Sequence, residues 1–204
     1  MLKLRILVAC EFSQIVTKAF REKGHEAFSC DLLPTEGNPD WHYQCDVLDI
    51  LDENWDMMIV HDPCTFQCNS GVRHLFNEDK TWNLKRYELL KESCEFTKKL
   101  LDANIPKICR ENPIPHKYAV QLIGGKYDQL VQPYQFGHPE RKATCLWLKN
   151  LEPLQETNNV YEEMLKLPKN KSQRIHHLPP SKDRGKLRSI TYQGIASAMA
   201  NQWS

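Results

Sequence analysis

Short apolar runs alternate with helix-like stretches through the first half of the chain, and this order constrains the fold more than any other feature. Residues 4–9 are a short apolar run of the kind that forms a buried parallel strand. Residues 13–23 then repeat apolar side chains at helical spacing, with Ser13 as the predicted N-cap and Gly24 at the end. Because strands joined by helices require right-handed crossovers, the order predicts an α/β fold with a mostly parallel sheet and helices on both faces.

The remainder of the chain continues this pattern and then becomes irregular. Further strands are predicted at 26–30, in a short segment that ends near Asp46, and at 56–60, 106–110, 130–132 and 144–149. Long helices are predicted at 82–101 and 192–203. With 204 residues, 41% of them hydrophobic, the chain suits one domain. We predict a single domain over 1–204, in which 150–188 is a short, irregular, basic insertion.

The N-terminal stretch and the cysteines indicate the cellular compartment. Charged residues interrupt the apolar run in 1–6 and no small-residue cleavage site follows, so we expect no signal peptide. No apolar run is long enough to span a bilayer, and no membrane partner is predicted. None of the eight cysteines falls in a CxxC pair, and without a secretion signal we expect reduced thiols. These features predict a cytoplasmic protein.

Polar or reactive side chains follow four of the predicted strands. They are Glu11, Asp31, the segment 61–64 (His-Asp-Pro-Cys) and the segment 111–113 (Glu-Asn-Pro). In a parallel α/β sheet, ligands lie outside the carboxyl ends of the strands. The four positions together therefore predict a site along one edge of the sheet, although each alone is also typical of helix caps and strand ends.

The first strand–helix turn indicates the type of cofactor. Residues 9–14 (Ala-Cys-Glu-Phe-Ser-Gln) contain no glycine, whereas a dinucleotide needs glycines there so that the backbone can approach its pyrophosphate. This argues against NAD and FAD but not against S-adenosylmethionine, which has no phosphate. Asp31 lies about twenty residues beyond the turn, where an acid binds ribose hydroxyls. The alternative role for Asp31 is a helix-capping or loop acid.

Two candidate reactive groups follow predicted strands. Cys64 comes after Pro63 and a buried strand, a position that suits a nucleophile, and the alternative is a small buried thiol. Glu111 can face the same cleft if the two strands are neighbours, with Arg110 pointing away from it, and the alternative is a polar strand end. We predict no metal, because no familiar zinc pattern matches the spacing of His61, Cys64, Cys68 and His74.

Four short motifs follow one another in a distinctive order. They are Pro63-Cys64, Glu111-Asn112, residues 136–148 (Phe-Gly-His-Pro-Glu-Arg-Lys-Ala-Thr-Cys-Leu-Trp-Leu) and residues 194–198 (Gly-Ile-Ala-Ser-Ala). In that order they resemble the Pro-Cys, Glu-Asn, Tyr-Gly-x-Pro-Gln-Arg-Arg-x-Arg-hydrophobic and Gly-Asn-Ala-Val motifs of the DNA cytosine-5 methyltransferases. Cys10 stands where the first motif of that family has a glycine. The resemblance implies a Rossmann-like, S-adenosylmethionine-dependent methyltransferase fold.

The resemblance also implies a mechanism, in which a thiolate adds to C6 of cytosine so that C5 can attack the methyl group of S-adenosylmethionine. Cys64 is then the nucleophile, and Glu111 is the acid that holds N3 and the exocyclic amine. Lys142 aligns with an arginine that orients the base, and Cys68 is expected to be dispensable. Because Glu111 has to be protonated to act on N3, we expect burial to raise its pKa. A base in a duplex has to flip out to reach Cys64.

The cofactor that the resemblance implies is S-adenosylmethionine. Its predicted contacts are Ala9, Cys10, Glu11, Phe12, Asp31, Asp46, Pro63 and Ala196. The predicted substrate contacts are Asn112, Lys182, Arg184 and Arg188. The last three belong to a basic tract, residues 165–188, with eight Lys or Arg against one acid, which we predict lies along DNA phosphates. The alternative is a solvated loop without a partner.

Departures from the family pattern leave three functions open. Asp62 stands two residues before the nucleophile, where an anion disfavours a thiolate unless a protonated His61 offsets it. Thr144 replaces the second arginine of the third motif, and only a short segment follows Lys149 where the DNA enzymes carry a larger recognition domain. The hypotheses are methyl transfer to cytosine in DNA, the same chemistry on a free pyrimidine nucleotide, and a catalytically silent binding module.

Overall fold

Seven strands form one sheet at the centre of the molecule. The computed structural model describes residues 2–204. The strands are β1 (Arg5–Ala9), β2 (Glu26–Cys30), β3 (His42–Tyr43), β4 (Met57–Val60), β5 (Lys107–Pro113), β6 (Gln129–Val131) and β7 (Thr144–Lys149). Their spatial order is β3-β2-β1-β4-β5-β7-β6. The pairs from β3 to β5 are parallel, and β7 pairs antiparallel with both β5 and β6. The predicted α/β class with a mostly parallel sheet is confirmed.

Helices cover both faces of the sheet. They are α1 (Ile15–Glu22), α2 (Leu84–Leu101), α3 (Lys117–Ile123), α4 (Tyr161–Leu165), α5 (Lys169–Ser172), α6 (Arg184–Ser189) and α7 (Gln193–Gln202), with 3₁₀ turns at Pro39–Trp41, Val47–Asp49, Asn69–Leu75 and Pro133–Gln135. The core on one face combines apolar side chains of α1 and α7 with Ile6 and Ile59. On the opposite face, Leu100 of α2 packs with Leu7 and Met58. Successive strand residues thus alternate between two apolar layers, each covered by helices.

The predicted elements and the observed ones differ mainly at their ends. The predicted strands at 26–30 and 144–149 coincide with β2 and β7, and Gly24 follows α1 with a left-handed φ of 88°. β5 is longer than predicted because residues 111–113 continue to pair with β7. The third strand ends at Tyr43 rather than near Asp46, whose side chain instead accepts a hydrogen bond from the Leu48 amide and caps a 3₁₀ turn.

The N-terminus of α1 is capped by Glu11, which corrects the prediction that Ser13 is the N-cap. Oε1 of Glu11 accepts a hydrogen bond from the Val16 amide at 2.8 Å, and Oε2 accepts from the amide and hydroxyl of Thr17 at 3.2 and 2.7 Å. Gln14 is the residue at the cap position and adopts a left-handed conformation without a capping side-chain bond. A buried carboxylate therefore satisfies amides that the helix itself leaves without partners.

The turn after β1 contains a residue in a conformation that favours glycine. Cys10 has a φ of 60°. A left-handed backbone costs a residue with a Cβ roughly 1–2 kcal/mol relative to the right-handed one. Cys10 is also the residue that stands in the place of a glycine in the family that the chain resembles. The backbone shape of this turn is therefore kept although the glycine is absent.

Candidate active site

The ends of β4 and β5 place two buried acid–base pairs on opposite faces of the sheet. The two strands pair in parallel with Val60 beside Arg110, and side chains alternate along both. Beyond Val60, His61 falls on the face of Glu111, and Asp62 falls on the face of Arg110. Nδ1 of His61 lies 3.1 Å from Oε2 of Glu111, and Nε of Arg110 lies 2.6 Å from Oδ1 of Asp62. The prediction that Arg110 points away from Glu111 is confirmed.

Asp62 is held by a hydrogen-bond network on the face away from Glu111. Nη2 of Arg110 donates to its Oδ2 at 3.0 Å, and the Thr97 hydroxyl donates to the same oxygen at 2.5 Å. Nδ2 of Asn112 donates to Oδ1 of Asp62 at 3.1 Å and to its backbone carbonyl at 3.2 Å. The Arg110 guanidinium also lies over the Trp147 ring, 4.2 Å from its centroid. The Asp62–Arg110 ion pair thus holds the segment after β4 against β5.

This network corrects two predictions. The partner that neutralises Asp62 is Arg110, not His61, since Arg110 is the cation in contact with it. Asn112, predicted to contact the substrate, is buried and donates to Asp62, so it positions the loop instead. The expectation that Asp62 disfavours a thiolate is confirmed in direction. The pKa of Cys64 is raised, most by a hydrogen bond with Cys68 and then by burial, and the Asp62 charge contributes less.

The pKa of Glu111 is lowered rather than raised, which overturns the prediction from burial. Burial does favour the neutral acid, but hydrogen bonds and charges outweigh burial. His61 provides the largest of these opposing effects, Lys142 adds a positive charge, and the Thr191 hydroxyl donates to Oε2 at 3.0 Å. Together they lower the pKa of Glu111 to about 2.

His61 is the complementary half of this pair. Burial lowers its pKa, but the hydrogen bond and charge of Glu111, with a further contribution from Glu11, raise it above the ordinary value overall. Nε2 of His61 is buried and has no hydrogen-bond partner among residues 2–204. The two side chains are therefore an imidazolium–carboxylate pair that holds one exchangeable proton. This contact was not predicted from the sequence. The possible pairing of β4 with β5 and the alternation of side chains along both strands could have indicated it.

Lys142 and Thr144, the two positions aligned with arginines in the resemblance, differ in their surroundings. Nζ of Lys142 donates to the carbonyl of Ile190 at 3.2 Å. Burial lowers the Lys142 pKa, while the charges of Glu111 and Cys64 raise it. Lys142 therefore lies within electrostatic range of both Glu111 and Cys64. Thr144 is buried at the start of β7, and its hydroxyl donates to the Lys142 carbonyl, so it contributes no polar group to the cleft.

Cys64 and Cys68 form a thiol pair. The loop turns so that the Cys68 amide donates to the Cys64 carbonyl at 3.0 Å. The hydrogen bond from Cys64 is the main cause that lowers the pKa of Cys68, to about 5, and the Ser70 hydroxyl and the Arg188 charge act in the same direction. The two shifts favour a thiolate on Cys68 and a neutral thiol on Cys64. The expectation that Cys68 is dispensable for the reaction stays a prediction.

The edge of the sheet where the sequence predicts the cofactor is acidic. Burial raises the pKa of the Cys10 thiol, and the charges of Asp62, Asp31 and Asp46 raise it further, so the three carboxylates surround the turn after β1. One oxygen of Asp31 accepts from the Leu33 amide at 2.9 Å. The second oxygen accepts no hydrogen bond from residues 2–204. An acidic edge repels phosphate and suits a ligand with hydroxyl groups and a positive charge.

Three of the residues predicted to contact the cofactor are buried or already hydrogen-bonded within the fold. Ala9 and Ala196 are completely buried in the core, so their side chains offer a ligand no surface. Both oxygens of Glu11 are bonded to the first turn of α1. Pro63 is exposed beside the site and Phe12 is half-buried, so both are accessible to a ligand.

The basic tract folds back over the same edge of the sheet. The positive charge of Arg188 acts on both Cys68 and Lys142. Lys186 is ion-paired with Glu36, and Nε of Arg184 donates to the Leu178 carbonyl at 2.9 Å. The predicted substrate residues therefore differ in availability. Lys182 is exposed and Arg188 lies near the thiol pair, whereas Arg184 is engaged within the tract.

Gly194 fits the close approach of the loop that carries the third motif. Its amide donates to Nε2 of His138 at 2.9 Å, and a Cβ at this position would overlap the carbonyl of Phe136. The motifs at 136–148 and 194–198 are thus in direct contact. The contact also positions Thr191, three residues earlier, against Glu111.

Two wider features of the described residues concern metals and membranes. Among residues 2–204, no three His, Cys, Asp or Glu side chains are grouped so that they could bind a metal ion. Within the same residues, the helices are either too short or too polar to cross a lipid bilayer.

The order of the strands defines the class of the fold. A seven-stranded sheet in the order 3-2-1-4-5-7-6 with an antiparallel β7 is the methyltransferase-like form of the Rossmann fold. No protein-family model and no curated protein matches the chain. Among solved structures, the chain is similar to an E. coli protein described as a "putative DNA modification methyltransferase encoded within prophage", with 14% identity and a TM-score of 0.41. The match covers 72% of this chain and 46% of that protein, so this chain spans less than half of its length.

Proposed function

We propose that the protein transfers a methyl group from S-adenosylmethionine to C5 of a cytosine, with Cys64 as the nucleophile. The observation that supports this best is the convergence of Cys64, Glu111 and Lys142, which come from three separate motifs. The charges of Glu111 and Cys64 both act on the Lys142 ammonium. A nucleophile, a carboxyl group and a cation in one cleft are what attack at C6 with support at N3 requires.

S-adenosylmethionine fits the acidic edge, and it would supply an electrophilic methyl group on a positively charged sulfur. Asp31 has one free oxygen for the ribose hydroxyls, and exposed Leu32 and Leu33 flank it with apolar surface. The carboxylate of Asp46 adds negative charge near Cys10, whereas that of Asp62 is neutralised by Arg110. These groups complement a sulfonium better than they complement a pyrophosphate.

The chain's own residues would carry the remaining steps. Cys64 gives its proton to the Cys68 thiolate and adds through its sulfur to C6, while Lys142 and Glu111 hold the polar edge of the base. C5 then gains the methyl group and loses its proton to a water molecule, and the electrons of the C5–H bond form the C5–C6 double bond and expel the Cys64 sulfur. For DNA, the target base has to leave the duplex to reach a thiol at the edge of the sheet.

A mechanism-based trap tests this assignment. A 5-fluorocytosine substrate cannot lose the C5 substituent, so with S-adenosylmethionine it should leave a stable adduct on Cys64 that mass spectrometry detects. Cys64→Ser should abolish the adduct, because a hydroxyl is a much weaker nucleophile near neutral pH. Cys45→Ser, which changes a half-buried thiol outside the pair, is the matched control and should trap normally. An adduct that survives Cys64→Ser and disappears in Cys68→Ser would assign the nucleophile to Cys68.

DNA is the substrate that we favour, and a free pyrimidine nucleotide is the second candidate. The observation that favours the nucleotide is the internal pairing of Arg174 with Glu140 and of Lys186 with Glu36, which leaves fewer cations for phosphates. Labelled S-adenosylmethionine with duplex DNA, single-stranded DNA, RNA or dCMP will separate the two. If DNA is the substrate, changing Lys182 and Arg188 to Gln should weaken binding and flatten its salt dependence, since fewer counterions are released. Transfer to dCMP alone would decide for the nucleotide.

A further inference from the structure

The proposed reaction needs a proton at N3 of the base, and the surroundings of Glu111 favour its ionised form. The carboxylate is ionised because His61, Lys142 and Thr191 all favour the anion. The nearest proton is on His61, whose Nδ1 lies 3.1 Å from Oε2 of Glu111. His61 is therefore the candidate source of the proton at N3.

The surroundings of the pair direct that proton toward Glu111. The side chains of His61 and Glu111 are only 12% and 9% exposed, so exchange with bulk water is restricted. Nε2 of His61 is buried and has no partner among residues 2–204, which leaves Nδ1–H as the imidazole's bonded proton. On Glu111, Oε2 is in ion-pair contact with Nδ1 of His61 and accepts a hydrogen bond from Thr191, whereas Oε1 accepts no hydrogen bond from the described residues. The carboxyl group thus faces its proton source on one side and is open to a ligand on the other.

We propose that His61 stores the proton that Glu111 delivers to N3 of the bound pyrimidine, so that the two side chains form a one-proton relay. This inference rests on the proposed function. The proton moves from Nδ1 of His61 to Oε2 of Glu111, and rotation of the neutral carboxyl group presents it to N3 as the Cys64 thiolate adds to C6. When C5 loses its hydrogen and the thiolate leaves, N3 returns its proton to Glu111 and then to His61. The pair is restored and consumes no net proton.

A carboxylate, an ammonium group and a hydroxyl from three other segments act on the His61–Glu111 pair. Glu11, in the turn after β1, favours the imidazolium, and Lys142, before β7, favours the carboxylate and opposes the imidazolium. The Thr191 hydroxyl, before α7, stabilises the anion by a hydrogen bond. The imidazolium is present below the raised pKa of His61 and is lost as the pH rises through it, so the relay should fail on the alkaline side.

The test compares His61→Asn with wild type in methyl transfer as a function of pH. Asparagine can still donate to Glu111 at the position of Nδ1 but has no proton to give. We expect kcat to fall about 100-fold or more, the range of general acid catalysis, with KM for S-adenosylmethionine little changed. The residual rate should rise continuously toward low pH, because Glu111 must then be protonated by solvent. His74→Asn, an exposed histidine of the same loop, is the control and should keep the wild-type profile.

NMR titration of the imidazole adds a measurement that does not depend on turnover. His61 should titrate above an ordinary histidine in wild type, and its pKa should fall in Glu111→Gln, which keeps the shape but removes the charge. Equal His61 pKa values in the two proteins, or a His61→Asn variant with the wild-type kcat and pH profile, would overturn the relay. No methyl transfer by wild type to any cytosine substrate would overturn the proposed function, and the relay to N3 with it.

Discussion

The two buried pairs at the ends of β4 and β5 are chemically similar, and their surroundings separate their roles. In the Asp62–Arg110 pair, both carboxylate oxygens accept more than one hydrogen bond from the protein. In the His61–Glu111 pair, Nε2 and Oε1 have no partner among residues 2–204, and Lys142 and Cys64 lie nearby. Nη1 of Arg110 also lacks a partner within the described part of the chain, but both oxygens of the Asp62 carboxylate are fully used, so the first pair holds the loop in place. Unused atoms make the second pair suitable for binding a ligand.

The largest expected effect is on stability when the first pair is broken. Arg110→Met leaves Asp62 as an unpaired buried charge and should cost about 3–5 kcal/mol of unfolding free energy. His61→Asn keeps a hydrogen bond to Glu111 and should cost only about 1 kcal/mol. Urea unfolding measures both.

The double variant Asp62→Leu/Arg110→Met is the control for this contrast. Replacing both partners of a buried ion pair with apolar residues is often neutral. We therefore expect it to recover most of the stability that Arg110→Met loses. A cost of Arg110→Met no larger than that of His61→Asn would contradict the division between a structural pair and a functional pair.

The second prediction uses pH to isolate the His61–Glu111 pair. The pKa of Glu111 is lowered from 4.5 to about 2, so its contribution is fully present above pH 4.5 and is lost as the pH falls toward 2. We expect on the order of 2 kcal/mol of stability to disappear across this range. The pKa of His61 is raised, so its contribution is lost as the pH rises through that value.

Glu111→Gln provides the reference for the pH experiment. The amide cannot titrate, so the acid-dependent loss attributed to this site should be absent in a series of urea unfolding curves between pH 2 and 6. Acid unfolding that is identical in wild type and Glu111→Gln would show that the pair contributes nothing in the folded state.

The third prediction concerns Gly194, in the C-terminal segment from which Thr191 donates a hydrogen bond to Glu111. Gly194→Ala should cost about 1–3 kcal/mol, because the added methyl group overlaps the Phe136 carbonyl and overpacking has this effect. Methyl transfer should fall as well, since Thr191 is displaced from Glu111. Gly185→Ala in α6, where a Cβ meets nothing within 4 Å, should be neutral in thermal unfolding and in activity.

The smallest expected effect is on the Asp62 side of the sheet, at Cys10. Cys10→Gly removes the strain of a left-handed backbone at the turn where the resembled family has a glycine. The change should raise the free energy of unfolding by about 1 kcal/mol. It should leave methyl transfer unchanged, because it alters neither side chain of the His61–Glu111 pair. Loss of activity with a gain in stability would show that the thiol itself is needed.

The sequence by itself determined the fold class and most of the element order. Apolar runs of strand length alternate with helical spacing, and these patterns depend on neighbours a few residues apart. The ends were less well predicted, because they depend on distant partners. β5 continues to Pro113 since β7 pairs with it, and Glu11 rather than Ser13 caps α1 because its buried side chain reaches the amides of Val16 and Thr17.

For the site, the sequence singled out Cys64, Glu111 and Lys142 by motif, and in the folded chain the charges of Glu111 and Cys64 both act on Lys142. The protonation states could be decided only by the tertiary structure. Burial alone predicts a neutral Glu111, but a pKa depends on every charge and hydrogen bond within a few ångströms. His61, Lys142 and Thr191 come from three segments far apart in the chain, and only the packed sheet and its crossing connections bring them to one carboxylate.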